Sequence, residues 1–465
     1  MSTVAVVAEA DTAEAQAPSP APKAEEVKGG KGGEAKEKSA APKAGGDEEG
    51  QGGKGDKAGK SDGGAKGDKG YGGRKRGGYG DDDKEYVECD PNALISVLTE
   101  LNADRGGSLV LAKDCTYMLT ANLDGSGLPR ITQPISIFGH GATIARAANA
   151  EQFRIFDVGA GGDLKLRRLT VTRGKTVEGE DAAGIRVSPA GRLELNDVNV
   201  TENSTGHIAN DDAGGLLNEG IATVRNSVFH RNSSRDGAAI YNQSGKMEIT
   251  HTEITGNAAD SVDGFGAVYN SGSMKFRNGL IGNNTGNDGG GVHNDGVLEI
   301  EKSAIAHNFA VLEGGGIESD AGPLYLRDSL IEGNTAGERG GGLDLTEPAT
   351  VEGTKIVDNV VTSTEATGGG VYVSVDEGDA VSIRDSKITG NQAPGNSASG
   401  GGVFVDANDG ILRLTDVKVA NNLSDQPAGG VKNNGTVETY GKVRIIDNVP
   451  TNCEGGANPV PNCFG

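Results

Sequence analysis

From about residue 182 onward one pattern returns along the chain: two or three glycines, an aliphatic residue, any residue and often Asn; a turn; alternating apolar residues; then Ser/Thr-x-Ile/Val-x-x-Asn. "GGGVHNDGVLEIEKSAIAHN", Gly289 to Asn308, is one copy. The closing asparagines are read as Asn203, Asn232, Asn257, Asn283, Asn308, Asn334, Asn359, Asn391, Asn422 and Asn448, spaced 25 to 32 residues apart. A unit this short cannot bury its apolar face alone, so it must stack on its neighbours as a solenoid. Three strand-like pieces lie in the quoted copy, around Val292, Leu298–Ile300 and Ile305. Three short strands and three turns make one coil of a parallel β-helix. Val292, Leu298, Ile300 and Ile305 should point inward, with glycine and asparagine at the corners, where left-handed backbone is needed.

The composition agrees. The 465 residues include 77 Gly, 9 Phe, 9 Tyr and no Trp. That is little bulk for an ordinary globular core and suits one spread along an axis. Residues 1–84 are rich in Gly, Lys, Glu, Ala, Asp and Pro and nearly free of large apolar side chains. They are expected to form a disordered tail. Within it, Gly70–Gly80 (GYGGRKRGGYG) has the look of a nucleic-acid-binding segment, but Asp81, Asp82 and Asp83 answer its charge at once. The tail's 15 basic and 16 acidic side chains nearly cancel, leaving 29 basic and 50 acidic in residues 85–465. A body that acidic should repel nucleic acid and anionic membranes. No apolar run reaches the length of a transmembrane helix.

The body, 85–465, divides into an N-terminal cap (85–107), irregular first coils (108–181), regular repeats (182–448) and a C-terminal cap (449–465). Asp90 and Pro91 are helix-starting residues, and Leu94, Ile95, Leu98 and Leu101 share one helical face. This helix should close the open end of the core. Cys89 and Cys115 flank one end of the body, Cys453 and Cys463 the other. None forms a C-x-x-C pair, which argues against zinc. Two disulfides, most simply Cys89–Cys115 and Cys453–Cys463 out of three connectivities, imply an oxidising compartment. Yet the N-terminal apolar run is broken by Glu9 and Asp11 and no signal peptide is legible.

The GG-[ILV]-x-N…S-x-I-x-x-N repeat resembles right-handed parallel β-helix proteins of the pectin-lyase-like superfamily. More narrowly it is similar to bacterial secreted proteins with polymorphic-membrane-protein-type repeats, whose short motifs stand here as Gly237-Ala238-Ala239-Ile240 and Phe229-His230-Arg231-Asn232. The resemblance implies an all-β, right-handed parallel β-helix of three-strand coils, about 12 of them. Polygalacturonases of that superfamily carry Asn-Thr-Asp, Asp-Asp, Gly-His-Gly and Arg-Ile-Lys in that order. Here Asp211-Asp212 follows Gly139-His140-Gly141, and the other two motifs are absent. His140 is therefore read as a turn residue. The glycine run before Val292 lacks the Lys-Ser/Thr of a phosphate loop.

Repetition turns single positions into stripes. The residue after the inward aliphatic is Leu217, Tyr241, Tyr269, His293, Glu318, Asp344, Tyr372, Phe404 and Lys432. Its rings, Tyr241, Tyr269, His293, Tyr372 and Phe404, are expected to face outward as a binding row for sugars or a protein partner. Just before the glycines run Asp212, Asp236, Asp263, Asp288, Glu313, Glu338 and Glu365, a carboxylate row whose repulsion a cation such as calcium would relieve. The functional expectation is a non-catalytic, secreted or cell-surface adhesive protein that presents a solenoid face to polysaccharide or a cell-surface protein. The alternatives are a carbohydrate-active enzyme, lyase or glycoside hydrolase, with a non-standard site, and a structural surface fibre. Oligomeric state is not legible.

Overall fold

The computed structural model describes residues 84–465 apart from 178, 206–211, 260, 261, 263, 407–409, 456–458 and 465. The expected tail falls, except for Lys84, outside the described residues.

The chain winds as a right-handed parallel β-solenoid of about 13 turns. The copy beginning at Gly289 gives the coil: Val292–Asn294, Val297–Glu301, Ala304–Ala306 and then a fourth strand that the repeat did not announce, Phe309–Ala310. Equivalent strands pair in parallel, coil on coil, into sheets of 24, 12 and 8 strands among the described residues. The 24-stranded sheet holds two faces that share three long early strands, Pro134–Arg146, Asp163–Thr172 and Arg192–Thr201. Each bends at a left-handed corner, His140 (φ 49) with Gly141 (φ 84) after it, Arg168 (φ 55) and Asp197 (φ 58). Later coils break the strand there, as at Asn226 (φ 50) between Ile221–Arg225 and Val228–His230. His140 is thus a corner residue, and the irregular early coils are the same coil with that corner unbroken.

Alternation decides what is inside. Val292, Leu298, Ile300 and Ile305 are all buried, and each stacks on an apolar equivalent: Ile300 between Phe276 and Leu326, Ile305 between Ile281 and Ile331. Each such side chain stabilises the stack by roughly 1.5–3 kcal/mol. The corners are held by a second column. Asn203, Asn232, Asn257, Asn284, Asn308, Asn334, Asn359, Asn391, Asn422 and Asn448 are buried, and each backbone N–H and side-chain amide donates to the Oδ1 of the next. Here the sequence reading needs correction. Asn284, not Asn283, is the ladder member, while Asn283 is exposed at φ 55. The left-handed corner is the residue before the ladder asparagine, as at His307 (φ 57) and Asp358 (φ 54), and the asparagine itself turns inward. A carboxamide can donate and accept at once, which an unending column of corners requires.

Both ends are closed. Helix α1 (Pro91–Ala103) starts at Asp90, whose side chain accepts the Asn92 N–H at 2.9 Å. It lays Leu94 and Leu98, both fully buried, on the core, with Ile95 and Leu101 partly buried beside them. Cys89 is bonded to Cys115. At the far end Cys453–Gly455 pairs with Val431–Asn433, Cys453 is bonded to Cys463, and Val460 covers the last coil. Among the described residues no helix is long and apolar enough to cross a membrane.

Candidate functional site

The row from Leu217 to Lys432 is in register: Tyr241 lies opposite Tyr269, Tyr269 opposite His293, His293 opposite Glu318, Glu318 opposite Asp344, Asp344 opposite Tyr372 and Tyr372 opposite Phe404. It points away from the core, yet it is not an open face. Tyr241, His293, Tyr372 and Phe404 are at most 8% exposed, and Tyr269 is half-buried. The cause is the glycine run. Gly314 (φ 59) folds the chain back over Glu318, so that a Cβ on it would lie 2.5 Å from the Glu318 Cβ; Gly340 (φ 61) covers Asp344 in the same way at 2.6 Å. Left-handed backbone this close to the next strand admits only glycine at little cost. The expected ring surface is therefore a roofed seam.

The same left-handed position, held by glycine except at Ala213 (φ 59), sets the register of the carboxylates. The residues directly before the left-handed position are Asp212, Asp236, Phe265, Asp288, Glu313, Arg339, Thr367 and Ser399, joined coil to coil by backbone hydrogen bonds. The expected carboxylate row is corrected accordingly. Phe265 and Arg339 interrupt it, Glu338 is exposed one residue off the row, and Asp263 lies outside the described residues. The stretch from the ladder asparagine to the left-handed glycine varies from coil to coil, short from Asn232 to Gly237 and longer from Asn257 to Gly266, and the backbone geometry, not the charge, decides which residue aligns.

Inside the seam the rings and charges satisfy one another. Tyr241 and Tyr269 stack at 4.4 Å, Phe265 and His293 at 4.1 Å, Tyr372 and Phe404 at 5.6 Å. The Tyr269 hydroxyl donates to Asp295 at 2.7 Å. His293 meets Asp295 through Nε2 (3.1 Å) and Glu318 through Nδ1 (3.0 Å). With a carboxylate at each nitrogen, both nitrogens donate, which is the imidazolium form. Arg339 donates to Asp344 (2.8 Å), pairs with Glu313 and covers the Tyr372 ring at 5.0 Å. Arg235 joins Asp212 (3.2 Å) and Asp236 (2.6 Å). Protein cations thus sit against the carboxylates. Among the described residues no group of three or more His, Cys, Asp or Glu could hold a metal ion. Sequence reasoning missed Asp295, Arg339 and Phe265 as seam members. Alignment on the left-handed glycine would have found the last two.

The seam is electrostatically strained. Burial, reinforced by Asp236, pushes the Asp212 carboxyl up to about 6. Burial with Glu318 nearby takes Asp288 to about 6, and burial outweighs Arg339 to take Glu313 to about 7. Asp344, fully buried, is raised well above the carboxylate range by burial, against the pull of Arg339. Burial alone would lower the His293 pKa, but its hydrogen bonds to Asp295 and Glu318 raise it to about 10. The stability that charged His293 contributes is therefore full below pH 6.5, its ordinary value, and is lost as pH rises through about 10. Thermal midpoints should fall across that interval, and His293→Gln should flatten the fall. A variant with the wild-type slope would refute the imidazolium assignment.

The seam also borders solvent at its later coils. Beside Tyr372 an open depression is lined by Glu338, Arg339, Ser363, Thr364, Glu365 and Thr367.

The family described as a right handed beta helix region matches residues 183–346. No curated protein matches the chain. Among solved structures, the A-module of Azotobacter vinelandii mannuronan C-5 epimerase AlgE6 is similar at 12% identity over 80% of this chain and 96% of that one, with a TM-score of 0.42. Bacteriophage CBA120 tailspike protein 3 is similar at 13% identity over 82% of this chain and 62% of that one, with a TM-score of 0.32. Neither likeness transfers a residue role. The coil register, the stacked parallel sheets and the matched family identify the chain by its fold, a right-handed parallel β-helix.

Proposed function

We propose that this β-helix is a non-catalytic, extracytoplasmic binding protein whose ligand is a polysaccharide or a polysaccharide-bearing surface. The observation that carries the reading is the state of the seam's one imidazole. His293 is buried, engaged on both nitrogens and roofed by the loop that carries Phe265, so it has no free nitrogen with which to exchange a proton with a substrate. The two disulfides support residence outside the cytosol. In this reading the depression beside Tyr372, with Arg339, Thr364 and Thr367 as hydrogen-bonding groups, is a contact point for sugar hydroxyls.

A second reading, a carbohydrate-active enzyme, is favoured by one observation: Glu313, with its carboxyl at about 7, lies against Arg339, which borders that depression. Incubating the full chain with neutral and acidic polysaccharides separates the two. Retention of polymer on immobilised protein without chain scission is the expected result. Release of unsaturated or reducing ends, abolished by Glu313→Gln, would overturn the non-catalytic reading in favour of the second.

A further inference from the structure

The clearest break in the charge pattern of the body lies on a face that neither the rings nor the carboxylates occupy. In the last coils the three-residue strands Lys355–Val357, Lys387–Thr389, Lys418–Ala420 and Arg444–Ile446 begin with a cation, and these stand in register: Lys355 opposite Lys387, Lys387 opposite Lys418, Lys418 opposite Arg444. The middle residue of each, Ile356, Ile388, Val419 and Ile445, is buried, which turns the cations outward. Successive coils are about 4.8 Å apart, so four positive charges line up along the axis of a body with 29 basic and 50 acidic residues.

Like charges directly opposite on a sheet are unfavourable, and the adjoining broad face avoids them. On the adjoining broad face Arg327 and Arg384 flank Glu352, Arg413 pairs with Glu438, and Lys275 and Arg277 share Glu299. Among the described residues none of the four cations has an ion pair within 4.0 Å. Two of the aspartates at the adjoining corner reach along the axis. Asp416, two residues before Lys418, accepts the Lys442 N–H at 2.8 Å and reaches toward Gly441. Asp328 reaches toward Gly353 in the same way.

The column has a second half. The equivalent residues in the three preceding coils are Leu280, Ala304 and Leu330, with Leu330 opposite Lys355. A shallow depression runs there, between Gly279, Ser303, Ala304, Ser329 and Leu330, with Lys302 and Lys355 and one carboxylate, Asp328, also lining it. Along one line the surface thus passes from small and apolar to a ladder of unpaired cations at coil spacing.

We infer that this column, Leu280 to Arg444, binds a linear acidic polysaccharide laid along the solenoid axis. A polyuronate has one carboxylate per sugar, a repeat of the same order as the coil rise, and C–H faces that suit the apolar end. A nucleic acid suits the column poorly. The column has no ring on which a base could stack. The inference names a ligand class for the binding reading above but uses a different surface from the depression beside Tyr372.

The test is calorimetric titration of the full chain with polygalacturonate oligomers at low and high salt. Wild-type protein should bind, and more weakly as salt rises. K355Q/K387Q/K418Q/R444Q should lose about tenfold or more in affinity, K355R/K387R/K418R should retain it, and Lys246→Gln, at an exposed cation on the adjoining broad face, should leave it unchanged. Thermal melts check that each variant folds. No binding by the wild type, unchanged binding by the four-Gln variant, or tighter binding of single-stranded nucleic acid than of polygalacturonate would each overturn the inference. Because only affinity is read, chain scission by the wild type would defeat the non-catalytic reading and leave this one standing.

Discussion

Asn334→Ala is expected to destabilise the solenoid by about 3–5 kcal/mol, read as a shift in the urea midpoint. Asn334 is fully buried at a mid-stack corner. Its backbone N–H and Nδ2 donate to the Asn359 Oδ1, both at 3.0 Å, and Nδ2 also donates to the Ile305 carbonyl at 2.9 Å. Its Oδ1 accepts from the Asn308 backbone N–H (2.9 Å) and side chain (3.0 Å). Alanine strands two donors on Asn308 and the Ile305 carbonyl where water is excluded, and each stranded group costs about 1–3 kcal/mol. Aspartate should be no better, since it cannot donate. The control is Asn283→Gly, one residue from the ladder at an exposed left-handed corner, where the change should stay within about 0.5 kcal/mol. If Asn334→Ala proved as mild as Asn283→Gly, the column would not be what holds the corners.

Arg339→Met is expected to destabilise the fold by about 3–5 kcal/mol near pH 8 and by much less near pH 5. Arg339 is the cation against Glu313 and the fully buried Asp344, whose Oδ1 already has no partner. Both carboxyls are raised above their ordinary range, Glu313 to about 7. A raised carboxyl disfavours the folded state increasingly as pH climbs from the unfolded value, about 4, through the folded one. Arg339 offsets that penalty. At pH 5 the carboxyls take up protons and little remains to offset; at pH 8 the variant has a buried charge and no answer to it. Arg339→Met/Asp344→Leu should recover most of the loss. Equal destabilisation at both pH values would show that the guanidinium acts by packing on Tyr372 and not by charge.

These two positions differ in how far they were legible. Asn334 stands in a recurrent motif, and recurrence at coil period means stacking, so its place in a ladder follows from the repeat. The misread neighbour shows the limit: "GNN" at Gly282–Asn284 offers two asparagines, and only closure of the corner selects the second. Arg339 carries no mark in the sequence, because its importance lies in residues 26 positions earlier and 5 later that loop length brings into line.

The sequence by itself determined the coil, the inward rows, the helix over the first turn and the cysteines at the two ends. All follow from period, alternation and chain-local rules, and those survive insertions. Only the tertiary structure decided which residues share a stripe and whether that stripe sees solvent. Register between coils is set by left-handed corners, Ala213 to Gly400, whose spacing drifts between 23 and 32 residues. The glycines of "GGGVHN" both supply the corner and fold the chain over the next strand. A ring row that alternation places outside the core therefore ends up roofed, and the unpaired charge stands instead on a column of lysines whose alignment no single copy of the repeat discloses.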